Sequence, residues 1–451
     1  MRGVVERRAW WLVGVLTFTY AVSFLDRTIL VLLLQPIKEH FALSDTMLGL
    51  LHGFGFVLFY LLLGLPIGRW VDRYERRFIA ALGALTWTIM TAICGLAPNF
   101  TVLLLARLGV GAGEATVGPA SLSMIGDALP SDQQPRALSV YAMGISIGSA
   151  MALIAGGWLY NVLQQHGGMP GLPLIRKLEP WQVVFLVACL PGFMAAASLM
   201  LIAEPPRRLS GEASDSSGRA LAPVRIADVL KYVRAQGAAY AGIIGGSSAL
   251  VLVGYGIGTW IPTFLIRTYG LSMAQVGITY GFISILSGLS GAATAGQVAS
   301  VMGRRNHRDA SLIAVLVALS GMMLCSVFTL ARDATTAFGG LAAFMFFNGM
   351  PFGVCAAALN QITPGRLRGQ MSAVFHISIN VVGVGIGPLL VGWLTDHVFT
   401  AGDGLRYSML SLSVAGLPLV MLIFSLIRRR FVMAREAADQ WRTFSSGGVL
   451  S

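Results

Sequence analysis

Four ionisable residues lie within long apolar stretches of the sequence, where charge is rare: Asp26, Arg27, Arg107 and Glu114. A charged side chain at the centre of a membrane-spanning helix costs about 2.5–3.5 kcal/mol. These residues are therefore expected to face a water-filled cavity and one another. Arg107, Gly111 and Glu114 are spaced four and three residues apart, so they share one stripe of a helix.

The balance of these charges suggests a mechanism. With both acids ionised the four charges cancel, and with both acids protonated the two arginines remain as cations. We therefore predict that Asp26 and Glu114 take up and release protons, and that Arg27 and Arg107 bind an anionic group such as a phosphate, which arginine contacts in bidentate fashion. The alternative is a static ion-pair cluster that only joins two helices. No cofactor is expected, and protons are the predicted coupling ion.

The rest of the chain has the composition of a protein surrounded by lipid. Of its 451 residues, 55% are apolar and 12% are charged, and the mean hydropathy is +0.73. Soluble proteins carry about 25% charged residues. Long apolar runs without strand-like alternation predict about twelve membrane-spanning helices, because an isolated strand cannot satisfy its backbone in lipid. Little remains for a soluble catalytic domain, and neither a Walker loop nor a metal-spaced cluster is present, so no enzyme activity is expected.

The net charge of +12 reflects topology. Lys and Arg are concentrated in the N-terminal tail and in the segments 69–77, 204–237 and 428–451. When the loops are assigned to the two sides of the membrane in turn, all of these segments fall on the same side. Positive loops face the cytoplasm. The sequence thus predicts a multi-pass protein of the bacterial inner membrane with both termini cytoplasmic, and nucleic acid is not expected as a partner.

The longest polar break divides the helices six and six. Segment 204–237 is rich in Pro, Ser, Gly and charge, which is typical of a linker. It separates a six-helix bundle at 1–203 from a second one at 238–427, with a cytoplasmic tail at 428–451. The residues from Gly68 onward recur from Gly296 onward, at an offset of 228 positions. Such a repeat predicts two pseudo-symmetric bundles with a binding site between them.

The loop after the second helix resembles a signature of the major facilitator superfamily, G-x-x-x-D-R-x-G-R-[RK]. Here it contains Gly68, Asp72, Arg73 and Arg76, and Glu75 departs from the pattern by replacing a glycine. The fourth helix resembles the family pattern R-x-x-x-G-x-G-x-A, beginning at Arg107. The resemblance covers essentially the whole chain and implies the major facilitator fold, with alternating access between the two bundles.

The resemblance also implies a cytoplasmic latch that closes one side of the carrier and breaks when that side opens. Asp72 would face the start of the eleventh helix, and Arg73 and Arg136 would bridge to Asp127. The alternative is that these charges only set topology. The predicted latch residues are Gly68, Asp72, Arg73, Arg76, Asp127 and Arg136.

A narrower resemblance points to the spinster-like branch, whose members move lysolipids and sphingoid phosphates. It is carried by Phe24-Leu-Asp-Arg27, by Gly113-Glu-Ala115 and by Trp260-Ile-Pro262. In this superfamily the first, fourth, seventh and tenth helices line the cavity. Besides the two arginines, the candidate substrate-binding residues are Tyr20, Phe24, Thr116, Tyr255, Thr259, Trp260, Phe346 and Asn348.

The sequence therefore predicts a proton-coupled carrier of an amphiphilic anionic lipid, such as a lysophospholipid or a sphingoid phosphate. Its partners would be that substrate and the membrane lipids, and the protein is expected to be a monomer. Two alternatives stay open: a transporter of small organic acids or drugs with the same fold, and an uncoupled lipid facilitator. The antiporter pattern of the fifth helix is incomplete, because Ser149 follows Gly144-x-x-x-Gly148, so symport and antiport also stay open.

Overall fold

The computed structural model describes residues 2–130, 132–166, 178–207, 232, 234–305, 307–364 and 367–445. The helices of the first half are α1 Arg2–Phe41, α2 Asp45–His52, α3 Phe54–Arg73, α4 Arg76–Gly95, α5 Phe100–Glu114, α6 Val117–Ala128, α7 Gln134–Gln165 and α8 Pro180–Leu201. Those of the second half are α9 Gly237–Tyr269, α10 Met273–Arg304, α11 Ala310–Cys325, α12 Ala334–Gly349, α13 Pro351–Ile362, α14 Arg368–Ser378, α15 Gly387–His397 and α16 Gly404–Ser445.

These helices supply the spans that the composition predicts. In the described residues, twelve helical segments are long and apolar enough to cross a membrane, and no strand is found there. The prediction of an all-α membrane protein with twelve spanning helices is confirmed. The last helix, α16, runs from the twelfth span well into the segment predicted as a tail and ends at Ser445.

Five spans of the described residues contain stretches that depart from regular α-helix. The α-helix is interrupted in the second span at Gly53, in the fourth at Ala115 and Thr116, and in the tenth at Met350, before Pro351 starts α13. A proline fits the first turn of a helix because its missing N–H would have no partner there. The ninth span ends in a 3₁₀-helix at Ser326–Leu330. The eleventh span contains a π-helical stretch at Ile379–Ile386. Such irregularities are favoured near functional sites.

The chain forms two compact units. The first comprises Met1–Arg207, Gly258–Ile285 and Pro388–Arg406, and the second comprises Arg208–Ile257, Leu286–Gly387 and Tyr407–Ser451. The division into bundles at 1–203 and 238–427 rests on the internal repeat and stays a prediction. Most of the predicted linker, residues 208–231 and 233, lies outside the described residues.

The core of the first unit is built from tightly packed spans. Its buried side chains include Leu16, Trp87, Met124 and Leu199. Helices α1 and α7 approach so closely that a Cβ atom on Gly148 would collide with the carbonyl oxygen of Ala21. Small residues permit this contact between membrane helices, where van der Waals packing replaces the hydrophobic effect. The close contact fixes the height and rotation of α1, which carries Asp26 and Arg27.

Candidate transport site and cytoplasmic latch

The ion pair between Arg27 and Glu114 is the centre of the charged cluster in the first unit. The Arg27 Nε donates to Glu114 Oε2 at 2.5 Å, and the Ser23 hydroxyl donates to the same oxygen at 2.8 Å. The Glu114 side chain is fully buried, whereas the Arg27 side chain is 19% exposed. Charge-assisted bonds of this kind are roughly twice as strong as neutral ones, so the pair joins the first and fourth spans.

The backbone of the fourth span places Glu114 at a break in the helix. Helix α5 ends at Glu114. Two residues later, the Thr116 hydroxyl donates to the Gly113 carbonyl oxygen at 2.9 Å, and such side-chain bonds compete with helix continuation. One turn earlier, the absence of a Cβ atom on Gly111 leaves room for the Phe56 carbonyl oxygen. The glycine thereby brings the second span against the fourth, beside Arg27.

Asp26 has a different environment, although it is adjacent to Arg27 in the chain. Its side chain is buried, and the only donor to its carboxyl in the described residues is the Thr91 hydroxyl, 3.3 Å from Oδ2. Arg107 is also buried, and its Nη1 donates to the main-chain carbonyl oxygen of Asp26 at 3.5 Å. No carboxylate of the described residues lies within 4.0 Å of the Arg107 guanidinium. The cluster thus contains one strong ion pair, and the second acid and the second arginine do not form another.

The other predicted substrate residues have different degrees of accessibility. Tyr20 is partly buried, stacks on Tyr141 with ring centroids 4.3 Å apart, and meets Phe24 edge-on at 5.1 Å. Thr259 and Trp260 are buried, and the Trp260 indole N–H donates to the carbonyl oxygen of Pro388 at 3.0 Å. In this conformation Trp260 therefore acts as packing within the first unit. The substrate role of these residues stays a prediction.

Three predicted substrate residues belong to the second unit. Asn348 packs its amide against Gly254, where a Cβ atom would collide with Asn348 Oδ1. Tyr255 follows Gly254 in α9. Phe346 meets Phe347 edge-on at 5.2 Å, and its carbonyl oxygen occupies the space beside Gly291.

An ionic cluster of the first unit is built around Arg76, a predicted latch residue whose side chain is only 1% exposed. Its Nη1 donates to Ser123 Oγ at 3.0 Å and to Asp127 Oδ2, and its Nε donates to Glu204 Oε1 at 2.8 Å. The remaining nitrogen, Nη2, donates to the Pro205 carbonyl oxygen at 2.7 Å. A guanidinium satisfied on all sides can be buried at acceptable cost, so Arg76 ties three segments together.

Glu204 and Arg207, at the start of the linker, cap two helix ends beside Arg76. Glu204 accepts hydrogen bonds from the main-chain N–H groups of Arg76 at 3.1 Å and Arg77 at 3.0 Å, at the N-terminus of α4. Arg207 donates to the carbonyl oxygens of Val71, Asp72 and Tyr74, at the C-terminus of α3. Each charge has the sign that the helix dipole favours. Burial alone would raise the pKa of Glu204, but the Arg77 and Arg76 N–H groups and the Arg76 guanidinium lower it overall.

The contacts of this cluster differ from those expected for the predicted latch. Arg73 and Arg136 were expected to bridge to Asp127, and the structure shows Arg76 there. The Arg136 guanidinium lies over the Trp10 ring, 5.2 Å from its centroid. Asp72 and Arg73 are exposed, and Gly68 is partly exposed. The contributions of Glu204 and Arg207 were missed, and the signal was an acid immediately after an apolar span, followed by prolines.

A second ionic cluster in the first unit was also missed. Asp45 is buried and accepts hydrogen bonds from Lys38 at 2.7 Å and from both terminal nitrogens of Arg267 at 2.7 and 2.8 Å. Asp396 caps the start of α2 by accepting from the N–H groups of Asp45 and Thr46 at 3.1 and 2.6 Å.

The protein thus has charged residues inside its spans and ionic clusters at the ends of its spans. Ionisable residues within membrane spans are typical of substrate and ion pathways in transporters. The family model described as Major Facilitator Superfamily matches residues 16–375, and the chain belongs to this superfamily. It is therefore an integral multi-pass membrane protein and a transporter of this class.

The relatives include a sphingosine-1-phosphate transporter and an efflux pump. An MFS-type efflux pump of Mycolicibacterium smegmatis is 26% identical over 87% of this chain and 86% of its own. The sphingosine-1-phosphate transporter SPNS2 of Danio rerio is 22% identical over 85% of this chain and 76% of its own. A crystal structure of a bacterial homolog to the human lysosomal transporter spinster, inward-facing and unoccupied, matches with a TM-score of 0.75 and 25% identity over 96% of this chain and 98% of its own. The spinster-like resemblance is confirmed.

Proposed function

We propose that this protein is a proton-coupled secondary transporter of an amphiphilic anionic lipid, such as a lysophospholipid or a sphingoid phosphate, and that it works by alternating access. The Arg27–Glu114 pair carries the proposal, because it places an anion-binding group and a protonatable group in direct contact. The similarity to SPNS2, named a sphingosine-1-phosphate transporter, supports the substrate class.

We assign Asp26 and Glu114 different roles in the transport cycle. Asp26 receives one neutral hydroxyl donor, and a buried carboxylate with so little compensation is costly, so we assign it a proton in this conformation. Glu114 receives a hydroxyl and a guanidinium and is assigned the ionised form. Protonation of Glu114 removes the attraction that holds Arg27, and the guanidinium then binds a phosphate in bidentate fashion.

We assign the predicted latch residues the role of controlling access to the binding site from the cytoplasmic side. Arg76, Asp127, Glu204 and Arg207 hold the cytoplasmic ends of their helices in fixed relation. Asp72, exposed in the same loop, is proposed to contact the eleventh helix when the cytoplasmic side closes, where a helix N-terminus favours a carboxylate.

The remaining properties follow from topology and composition. We propose that the protein is a monomer in the bacterial inner membrane, with both termini in the cytoplasm and with membrane lipids as its neighbours. Protons serve as its coupling ion without another cofactor, and it has no nucleic-acid partner.

The test uses purified protein in liposomes with an imposed pH gradient and a fluorescent lysolipid. Wild type should move the lysolipid faster with the gradient than without it, and Glu114→Gln should abolish the gradient-dependent part. Glu75→Gln, which changes an exposed glutamate, serves as the matched control. Uphill transport by both Glu114→Gln and Asp26→Asn would refute coupling by these acids, and movement without gradient dependence would identify a facilitator.

A second candidate is export of small compounds or drugs. The similarity to the M. smegmatis efflux pump favours it, and the partly exposed Arg27 beside aromatic rings is compatible with a small ligand. A panel of organic anions and drugs run in the same liposomes decides between the two candidates, because an exporter of small compounds moves a panel member and leaves the lysolipid in place.

A further inference from the structure

Three aromatic rings surround the Arg27 guanidinium. Its carbon Cζ lies 4.2 Å from the centroid of Phe56, 4.8 Å from Phe24 and 5.5 Å from Tyr60. We call these three rings, together with the Glu114 carboxylate, the Arg27 cage. Phe24 lies on α1, while Phe56 and Tyr60 lie one turn apart on α3, so two helices of the first unit supply its walls.

The Arg27 cage has the chemistry of a cation receptor. The faces of aromatic rings attract a cation within about 6 Å through the ring quadrupole, and boxes of such rings bind quaternary ammonium groups. A carboxylate adds the full charge that makes the attraction selective for cations. None of these forces distinguishes a guanidinium on a tether from an ammonium ion that arrives as a ligand.

The occupant of the cage is tethered and partly accessible. The Arg27 side chain is 19% exposed and the Glu114 side chain beneath it is not exposed, so a ligand meets the arginine before it meets the acid. An arginine side chain has several rotatable bonds and that of Arg27 is already partly exposed, so Arg27 can swing out of the cage.

We propose that the Arg27 cage is a binding site for organic ammonium groups, which enter by displacing Arg27 from Glu114 and from the three rings. This goes beyond the proposed function, because it assigns a cationic ligand class to a place where the proposed lipid presents an anion. Displacement conserves the charge of the cage, since one monovalent cation replaces another.

Because Arg27 competes with the ligand for the cage, removal of Arg27 should tighten the binding of an ammonium ligand. The apparent dissociation constant equals the intrinsic one divided by the fraction of molecules whose cage is vacant. If roughly one molecule in ten has a vacant cage, removal of the guanidinium tightens ammonium binding about tenfold. An anionic ligand that binds Arg27 would be weakened by the same substitution.

The experiment measures binding of hexyltrimethylammonium to the full-length protein in lipid nanodiscs by isothermal titration calorimetry, with 1-hexanol as the uncharged probe. We expect saturable binding of the ammonium to wild type and about tenfold tighter binding to Arg27→Met. Phe56→Leu should weaken binding about 3- to 30-fold, the range for loss of one cation–π contact. Phe59→Leu, which changes a neighbouring phenylalanine on the same helix that is 38% exposed and is not one of the cage rings, should bind like wild type.

The binding assay tests the cage, and the transport assay tests the proposed function independently. Weaker or unchanged ammonium binding by Arg27→Met overturns the cage, as does a Phe56→Leu variant that binds like Phe59→Leu or a 1-hexanol affinity equal to that of the ammonium. Hexyl phosphate, titrated into the same variants, should lose affinity in Arg27→Met if the anion site of the proposed function is correct. Loss of lysolipid transport in liposomes would refute the proposed function and leave the cage measurement standing.

Discussion

Replacement of Glu204 by glutamine tests whether the start of the linker stabilises the end of the first unit at which α3 ends and α4 begins. The carboxylate accepts three hydrogen bonds, two from main-chain N–H groups of α4 and one from Arg76 Nε. Glutamine keeps the shape but loses the charge and one acceptor oxygen. Hydrogen bonds to charged groups contribute about 1.5–3 kcal/mol, and the buried Arg76 would keep Asp127 as its only acidic partner.

The expected destabilisation is therefore about 1.5–3 kcal/mol. Units of roughly 150–250 residues lose about 2–4 °C of melting temperature per kcal/mol, which gives a decrease of about 3–12 °C. The assay is thermal unfolding in non-ionic detergent at pH 7, followed by intrinsic tryptophan fluorescence, since Trp87 and Trp181 are fully buried in the same unit. Glu75→Gln, in the same loop but 63% exposed, should melt with wild type because exposed ion pairs contribute little.

The pH dependence of the melting temperature is a second test of the capping role of Glu204. The folded-state pKa of Glu204 is below its ordinary value of 4.5, so its stabilisation is present above pH 4.5 and is lost as the pH falls through the folded-state pKa. The melting temperatures of wild type and Glu204→Gln should therefore converge in strong acid. Equal melting at pH 7, or a difference that persists unchanged in strong acid, would refute the capping role.

Three further predictions concern single sites. Asp72→Asn should lower the turnover rate in liposomes and leave substrate affinity nearly unchanged, and an unchanged rate would refute the proposed latch contact. Asp45→Asn leaves Arg267 and Lys38 without their shared carboxylate and should lower the melting temperature by several degrees. Loss of one partner of a fully buried ion pair costs about 3–5 kcal/mol, and the cost is smaller here because both cations are partly exposed. The same fluorescence melt measures the change. Gly148→Leu should abolish folded protein in size-exclusion chromatography, because the added side chain collides with the backbone of α1, and a monodisperse peak with wild-type melting would contradict that packing.

The sequence was sufficient to predict the class of structure and the place of the charged residues. Composition and run length predict spanning helices, and the cost of charge in lipid singles out Asp26, Arg27, Arg107 and Glu114. Partner choice was less predictable, because it depends on rotation and tilt of helices that pack through small residues. Gly111, for example, brings Phe56 beside Arg27, and nothing in the spacing of the second span marks that residue.

The adjacency of Asp26 and Arg27 explains why the cluster forms one ion pair and not two. Successive residues of an α-helix point about 100° apart, so these two side chains face different neighbours. Arg27 faces the cage and Glu114, while Asp26 faces Thr91 in the protein interior. Arg107 contacts the Asp26 main chain and not its carboxyl. Exchange of Arg27 for a ligand therefore changes the partner of Glu114 and leaves the contact between Asp26 and Thr91 in place.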